Sequence, residues 1–242
     1  TAEMYADGGA EEVVGQAIRG LRDRVVLGSK VSPWHAGKAA MHRACENSLR
    51  RLQTDYLDMY LLHWRGDIPL QETVEAMEKL VAEGKIRRWG VSNLDTEDMQ
   101  ALWRTADGEH CATNQVLYHL ASRGIEYDLL PWCQQHSLPV MAYCPLAQAG
   151  RLRDGLFQHS DIINMANVRG ITVAQLLLAW VIRHPGVLAI PKAASIEHVV
   201  QNAAALDVVL SGEELAQLDR LYPPPQRKTR SEERRVGKEC RS

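Results

Sequence analysis

Residues 57–64 read Leu57-Asp58-Met59-Tyr60-Leu61-Leu62-His63-Trp64. An apolar run this short, closed by a polar residue, is the signature of a strand buried on both faces, as in parallel sheets. The segments on either side, residues 36–52 and 70–83, repeat apolar positions at helical spacing, and the second stops at Gly84. The stretch therefore predicts a helix–strand–helix unit. The same unit recurs in both directions. Strands are predicted over residues 25–31, 87–93, 111–118, 139–146 and 187–192. Helices are predicted over residues 9–20, 95–103, 127–137, 161–168, 172–184, 195–206 and 211–221. Asp95, Thr172, Ser195 and Ser211 stand where caps belong.

Six buried strands, each followed by a helix, predict an α/β fold with a parallel sheet covered on both faces. No strand leads into a GxGxxG, so the dinucleotide-binding sheet motif is absent. A unit of roughly 30 residues matches the (β/α)8 TIM barrel of ~250 residues. Six of eight strands are visible. The expectation is an incomplete barrel over residues 1–229, with the first and second strands missing at the amino end. Such a barrel would leave two bare strand edges and a poor yield of soluble protein.

Composition narrows the class. The 242 residues are 45% hydrophobic and 24% charged, proportions of a globular chain rather than a disordered one. Charge interrupts every apolar run well short of the ~18 residues of a membrane helix. The net charge of -2 gives no footprint for nucleic acid. No secretory leader opens the chain, and five scattered cysteines show no metal-type pairing, so the expected place is the cytoplasm. Residues 230–242 (RSEERRVGKECRS, with Cys240) have almost no apolar content and no period. They resemble the translated read-through of a sequencing adapter and are set aside from the fold.

In parallel barrels, chemistry sits at the carboxyl ends of the strands. Those positions here are Lys30, His63-Trp64, Ser92-Asn93, Asn114-Gln115, Tyr143-Cys144 and Lys192. Each alone has a bland explanation: a buried histidine, a surface lysine, loop polarity. Six together are hard to explain as packing, because buried polar groups cost free energy unless paired.

With Thr1-Ala2-Glu3-Met4-Tyr5, Gly28-Ser29-Lys30, Leu61-Leu62-His63-Trp64, Gly90-Val91-Ser92-Asn93, Asn114-Gln115, Ala142-Tyr143-Cys144-Pro145-Leu146 and Ile190-Pro191-Lys192 in order, the chain resembles the aldo-keto reductases, from Thr1 to about Lys228. Within the family it is most similar to bacterial reductases of methylglyoxal and related small carbonyls. The resemblance implies NADPH as cofactor, a small carbonyl substrate and a monomer. It also implies a tetrad of Asp, Tyr, Lys and His. Tyr5, Lys30 and His63 match three members; the Asp belongs immediately before Thr1 and is not in the sequence, which implies impaired activity.

The chemistry accounts for the residue types. Hydride addition to a carbonyl builds negative charge on oxygen, which must be protonated. A tyrosine reaches it, and a lysine ammonium beside the phenol favours the phenolate. Tyr5 is thus the expected general acid and Lys30 its tuner, with His63 orienting the carbonyl. By resemblance, Ser92, Asn93 and Gln115 hold the nicotinamide amide, and Tyr143 stacks on the ring with Pro145 and Leu146 beside it. Lys192, His198 and Asn202 take the adenosine end, Lys192 and a helix amino end forming an anion site. His198 stands where the family has Arg, which weakens a phosphate contact. Trp34, Trp64 and His119 are the expected pocket walls.

Two other classes remain to be discriminated. One is a cofactor-loaded sensor without turnover, against which the retained Tyr5, Lys30 and His63 argue. The other is a phosphate-handling isomerase, which needs a Gly-rich loop that residues 147–150 do not supply.

Overall fold

The computed structural model describes residues 1–148 and 150–228. The segment 230–242 with Cys240, and Ala149 of the 147–150 loop, lie outside the described residues.

The described residues pack as two compact units that divide between residues 115 and 116. The first contains α1 (Gly9–Ala17), β1 (Gly28–Val31), α2 (Lys38–Leu52), β2 (Leu57–Leu62), α3 (Leu70–Ala82), β3 (Ile86–Ser92), α4 (Thr96–Trp103) and the start of β4 (Asn114–Leu117). The second contains the end of β4, then α5 (Leu129–Gln135), β5 (Val140–Tyr143), α6 (Arg151–Phe157), α7 (Ser160–Val168), α8 (Val173–Val181), β6 (Val187–Ala189), α9 (Ile196–Ala204) and α10 (Gly212–Leu221). The strand order follows the chain, β1-β2-β3-β4-β5-β6, and the pairs β1–β2, β2–β3, β3–β4 and β5–β6 are parallel. The expected α/β class with six parallel strands is what forms.

In the first unit β2 is central. Leu57, Tyr60, Leu61 and Leu62 are buried, as the apolar run requires. Its neighbours cover it with the stripes that helical spacing predicts. The helix α2 buries Met41, Cys45, Leu49 and Leu52, and α3 buries Leu70, Val74, Met77 and Leu80. Each fully buried aliphatic side chain is worth roughly 1.5–3 kcal/mol. Register places Lys30 beside Leu61, Leu61 beside Gly90, and Ser92 beside Gln115. Because parallel strands share a direction, the carboxyl ends of β1, β2 and β3 arrive on one side of the unit; Asn114 and Gln115, expected at a strand's carboxyl end, instead open β4, with Gln115 beside Ser92.

The second unit is centred on α8, whose residues Leu176 to Val181 are all buried and whose start is fixed by a Thr172–Gln175 capping box. Beside it lies a charged cluster. Glu126 accepts hydrogen bonds from Tyr118 Oη (2.6 Å), Arg183 Nη2 (2.9 Å) and Arg123 Nη2 (2.7 Å). Arg123 also reaches Asp219 Oδ1 at 2.7 Å, which ties in α10. Every member has an opposite partner, the condition for burying such charge.

Three expectations need correction. Strands are shorter than the apolar runs: β4 pairs only from Asn114, although Cys111 and Thr113 are buried ahead of it. The strand β6 is not a buried run; it has three residues and Leu188 is 54% exposed, because β6 is last in the order and its pairing is with β5. The edge of β1 is not bare. The amino group of Thr1 and the amide of Glu3 donate to the carbonyls of Gly28 (3.0 Å) and Lys30 (3.2 Å), so residues 1–3 line that edge.

Candidate active site

Lys30 and Ser29 alternate on β1, so they face opposite sides of the sheet. Lys30 is 6% exposed. Its Nζ donates to the carbonyl of Thr1 at 2.9 Å and stands 3.5 Å from Tyr5 Oη. Tyr5 Oη is also 3.5 Å from His63 Nε2, with the two rings edge to face at 5.5 Å. The phenol therefore bridges the strand ends of β1 and β2. Tyr5 itself remains 42% exposed, so its hydroxyl group is reachable from outside while its two partners are buried.

Burial controls both partners. It holds the Lys30 ammonium down to about 8, because the charged form loses water. Lys30 has no carboxylate partner among the described residues. Burial, aided by the Lys30 cation, pushes His63 down to about 3. His63 is consequently a neutral imidazole at working pH. Its Nδ1 is buried without a hydrogen-bond partner. An unfilled acceptor costs less there than an orphan N–H, so the proton belongs on Nε2, facing Tyr5.

The loop that presents Tyr5 is tightly determined. Ala6 and Asp7 both adopt left-handed backbone (φ 50°), followed by Gly8 at φ 94°. Each non-glycine residue there costs roughly 1–2 kcal/mol. Glu3 anchors the near side. Its Oε1 accepts from Ser32 N (2.7 Å) and pairs with His35 Nδ1 (3.0 Å).

The other expected residues of this unit gather nearby. Asn93, at φ 62°, turns the chain after β3; its Nδ2 donates to the His63 carbonyl (3.2 Å) and its amide to the Gln115 carbonyl (2.9 Å). Ser92 Oγ donates to the same Gln115 carbonyl at 2.8 Å, which leaves its oxygen free to accept. Asn114 Nδ2 caps the carbonyl of Leu94 (2.8 Å). His63, Trp64 and Trp34 form a run of edge-to-face rings, at 4.9 and 5.7 Å, and Trp34 is 56% exposed.

Seven expected positions and His119 belong to the second unit, in two segments and a turn. Tyr143 closes β5 half-buried, and Cys144 at φ 48° turns the chain into buried Pro145 and half-buried Leu146. Lys192 is exposed after β6. Ser195 caps α9 by accepting from His198 N (3.2 Å), and Asn202 lies one turn beyond His198 on that helix. His119 is buried. Its Nδ1 accepts from Ala121 N (3.2 Å), and burial lowers it to about 4.

Sequence reasoning passed over Glu3 and Glu11. Glu3 was read only as part of a motif. Glu11 falls inside the helix predicted over residues 9–20 and was assigned no role, yet it is 0% exposed. The available signal was that Glu11 and Gly15 occupy the inward face of α1, where apolar residues belong.

Comparison with known proteins gives the family. The model of the aldo/keto reductase family matches residues 1–223. The chain is 67% identical over 229 residues to the methylglyoxal reductase YeaE of Escherichia coli, covering 95% of this chain and 81% of that protein. It is 35% identical over 224 residues to a glyoxal reductase of Bacillus subtilis, covering 91% and 77%. Among solved structures, an aldo/keto reductase from Klebsiella pneumoniae in complex with NADP and acetate superposes with a TM-score of 0.93 at 97% identity. That match covers 95% of this chain and 81% of the other.

Proposed function

The chain belongs to the aldo/keto reductase family, and from that premise we propose that it reduces small aldehydes and ketones of the methylglyoxal type, with Tyr5 as general acid. NADPH is the cofactor of this activity; when bound it supplies the hydride. The observation that carries the reading is one phenol oxygen 3.5 Å from both a buried lysine and a buried neutral histidine.

The chain's own residues divide the work. His63 Nε2–H orients the carbonyl oxygen toward Tyr5. Tyr5 Oη gives its proton to that oxygen as charge develops, and the Lys30 ammonium stabilises the phenolate left behind. The residues present fit the cofactor by their donor set. Ser92, Asn93 and Gln115 offer hydroxyl and amide groups suited to a carboxamide. Tyr143 offers a half-buried ring for stacking beside Pro145 and Leu146. Lys192, His198 and Asn202 would take the adenosine phosphate end. Trp34, Trp64 and His119 would wall the substrate.

The family's fourth tetrad member, an Asp, falls ahead of Thr1 and outside the 242 residues. Without a carboxylate, Lys30 keeps its charge only up to about pH 8. A carboxylate placed ahead of Thr1 would pair with Lys30 and hold its charge to higher pH.

The test is NADPH oxidation with methylglyoxal, on the chain and on a version extended by an Asp-ended segment. Turnover that the extension raises, and that Tyr5→Phe removes, supports the proposal. Tight NADPH binding without turnover on any small carbonyl would replace it with a cofactor-loaded sensor.

A further inference from the structure

We propose that Glu11 is a positioning residue for the Tyr5–Lys30 pair, acting through Ser29 and Arg51 from the opposite face of the sheet. The inference rests on the reading of Tyr5 as the acid.

Glu11 lies one turn of α1 beyond the loop that presents Tyr5. Its carboxylate is wholly buried. One oxygen accepts from Ser29 Oγ, the residue that precedes Lys30 on β1. The other accepts from Arg51 Nε and pairs with Arg51 Nη2, both at 2.7 Å. Arg51 in turn lies across the loop: a Cβ on Gly8 would fall 2.7 Å from Arg51 Cδ. At Gly15 a Cβ would meet the Arg51 and Leu52 backbone at 2.7 Å, so α1 is seated directly on the end of α2.

These contacts close a ring. Tyr5 leads through two left-handed residues to Gly8, under Arg51, to Glu11, to Ser29, to Lys30 and back to Tyr5 Oη. The strained turn at Ala6 and Asp7 relaxes unless something fixes both of its ends. Glu3 fixes the near end and Glu11 the far one. A buried carboxylate is costly unless charge and hydrogen bonds compensate it. Hydrophobic packing would join α1 to β1 more cheaply but would leave their register free. The ion pair sets it in direction and distance, and thereby the reach from Tyr5 Oη to Lys30 Nζ.

The experiment uses Glu11→Gln and, because that change leaves Arg51 short of its partner, the milder Ser29→Ala. Absorbance titration of the phenol, as the difference from the same protein carrying Tyr5→Phe, reads Tyr5 ionisation without cofactor or substrate. Glu11→Gln is expected to lower the Tyr5 phenolate fraction at fixed pH about tenfold. It is also expected to lower kcat by about 10- to 100-fold while KM changes little, the mark of a misplaced group. Ser29→Ala shifts both in the same direction by less. Thr172→Ala, which removes the cap of α8 in the other unit, should leave the Tyr5 titration where it is. Folded Glu11→Gln or Ser29→Ala protein with an unchanged Tyr5 titration overturns the proposal. If the parent chain turns over no carbonyl, the reductase reading fails while the titration still decides the role of Glu11.

Discussion

Lys30 illustrates how function opposes stability at a single residue. Its ammonium is buried, so folding lowers its affinity for protons from the ordinary 10.5 to about 8. Between those values the unfolded chain binds more protons than the folded one, and stability therefore rises with pH across that window. Below about pH 8 the penalty is complete, on the order of 3 kcal/mol. Lys30→Met should raise the midpoint of urea unfolding at pH 7, and the gain should shrink between pH 8 and 10.5. The same variant should lose carbonyl reduction. A Lys30→Met protein less stable than the parent at pH 7 would contradict this account. Tyr5→Phe keeps the ring contact with His63 and removes only the hydroxyl, so it should bind NADPH normally while reduction falls by ~10²–10⁴-fold. Fluorescence titration beside a turnover assay separates the two effects.

At the scale of elements, Gly90 on β3 shows what close packing demands. A Cβ there would lie 2.6 Å from the Thr113 carbonyl and 2.9 Å from Leu61 Cδ2. The carbonyl belongs to backbone that accepts from Val91 N at 3.0 Å and has little room to retreat. Gly90→Ala should cost about 1–3 kcal/mol by overpacking. It should also weaken NADPH binding, because Ser92 and Asn93 follow directly; a calorimetric melt and a binding titration check both. Elements of this kind were legible to different degrees. The strand β2 was plain, because both its faces are buried and the apolar run is continuous. Lys30, His63 and Ser92 were legible for the same reason: once a strand is found, the residues at its carboxyl end can be counted. The helix α6 was not read, since RLRDGLF is seven residues long with a glycine inside. The far ends of β4 were misplaced because burial continues where strand pairing has stopped. Glu11 was passed over, because an acid in a first turn normally faces water and complements the helix dipole, and only its place on the inward face of α1 hints otherwise. Its partner Arg51 is forty positions away, and no local pattern reports it.

For the whole molecule, acid sensitivity follows from two buried histidines, one in each unit. Folding lowers His63 from 6.5 to about 3 and His119 from 6.5 to about 4. As pH falls through 6.5 the unfolded chain takes up protons that the folded chain refuses. Stability should fall from pH 6.5 downward, each histidine contributing up to ~1.4 kcal/mol per pH unit inside its window. His119→Gln should flatten the melting temperature between pH 6.5 and 4 relative to the parent. A slope unchanged by that substitution would remove His119 from the account. His63 stays neutral throughout this range, so its ionisation should leave no inflection in the rate above pH 4.

The boundary between the two units, inside β4, also orders the molecule as a genetic map. The proton-handling groups Tyr5, Lys30 and His63, and the Glu3 and Glu11 that hold them, are all encoded before residue 64. The groups assigned to the adenosine phosphate end, Lys192, His198 and Asn202, all come after residue 190. Selection for a new coenzyme should therefore collect its substitutions late in the gene. Selection for rate should collect them early, and recombination near the codons for Asn114 to Leu117 should be able to shuffle the two traits.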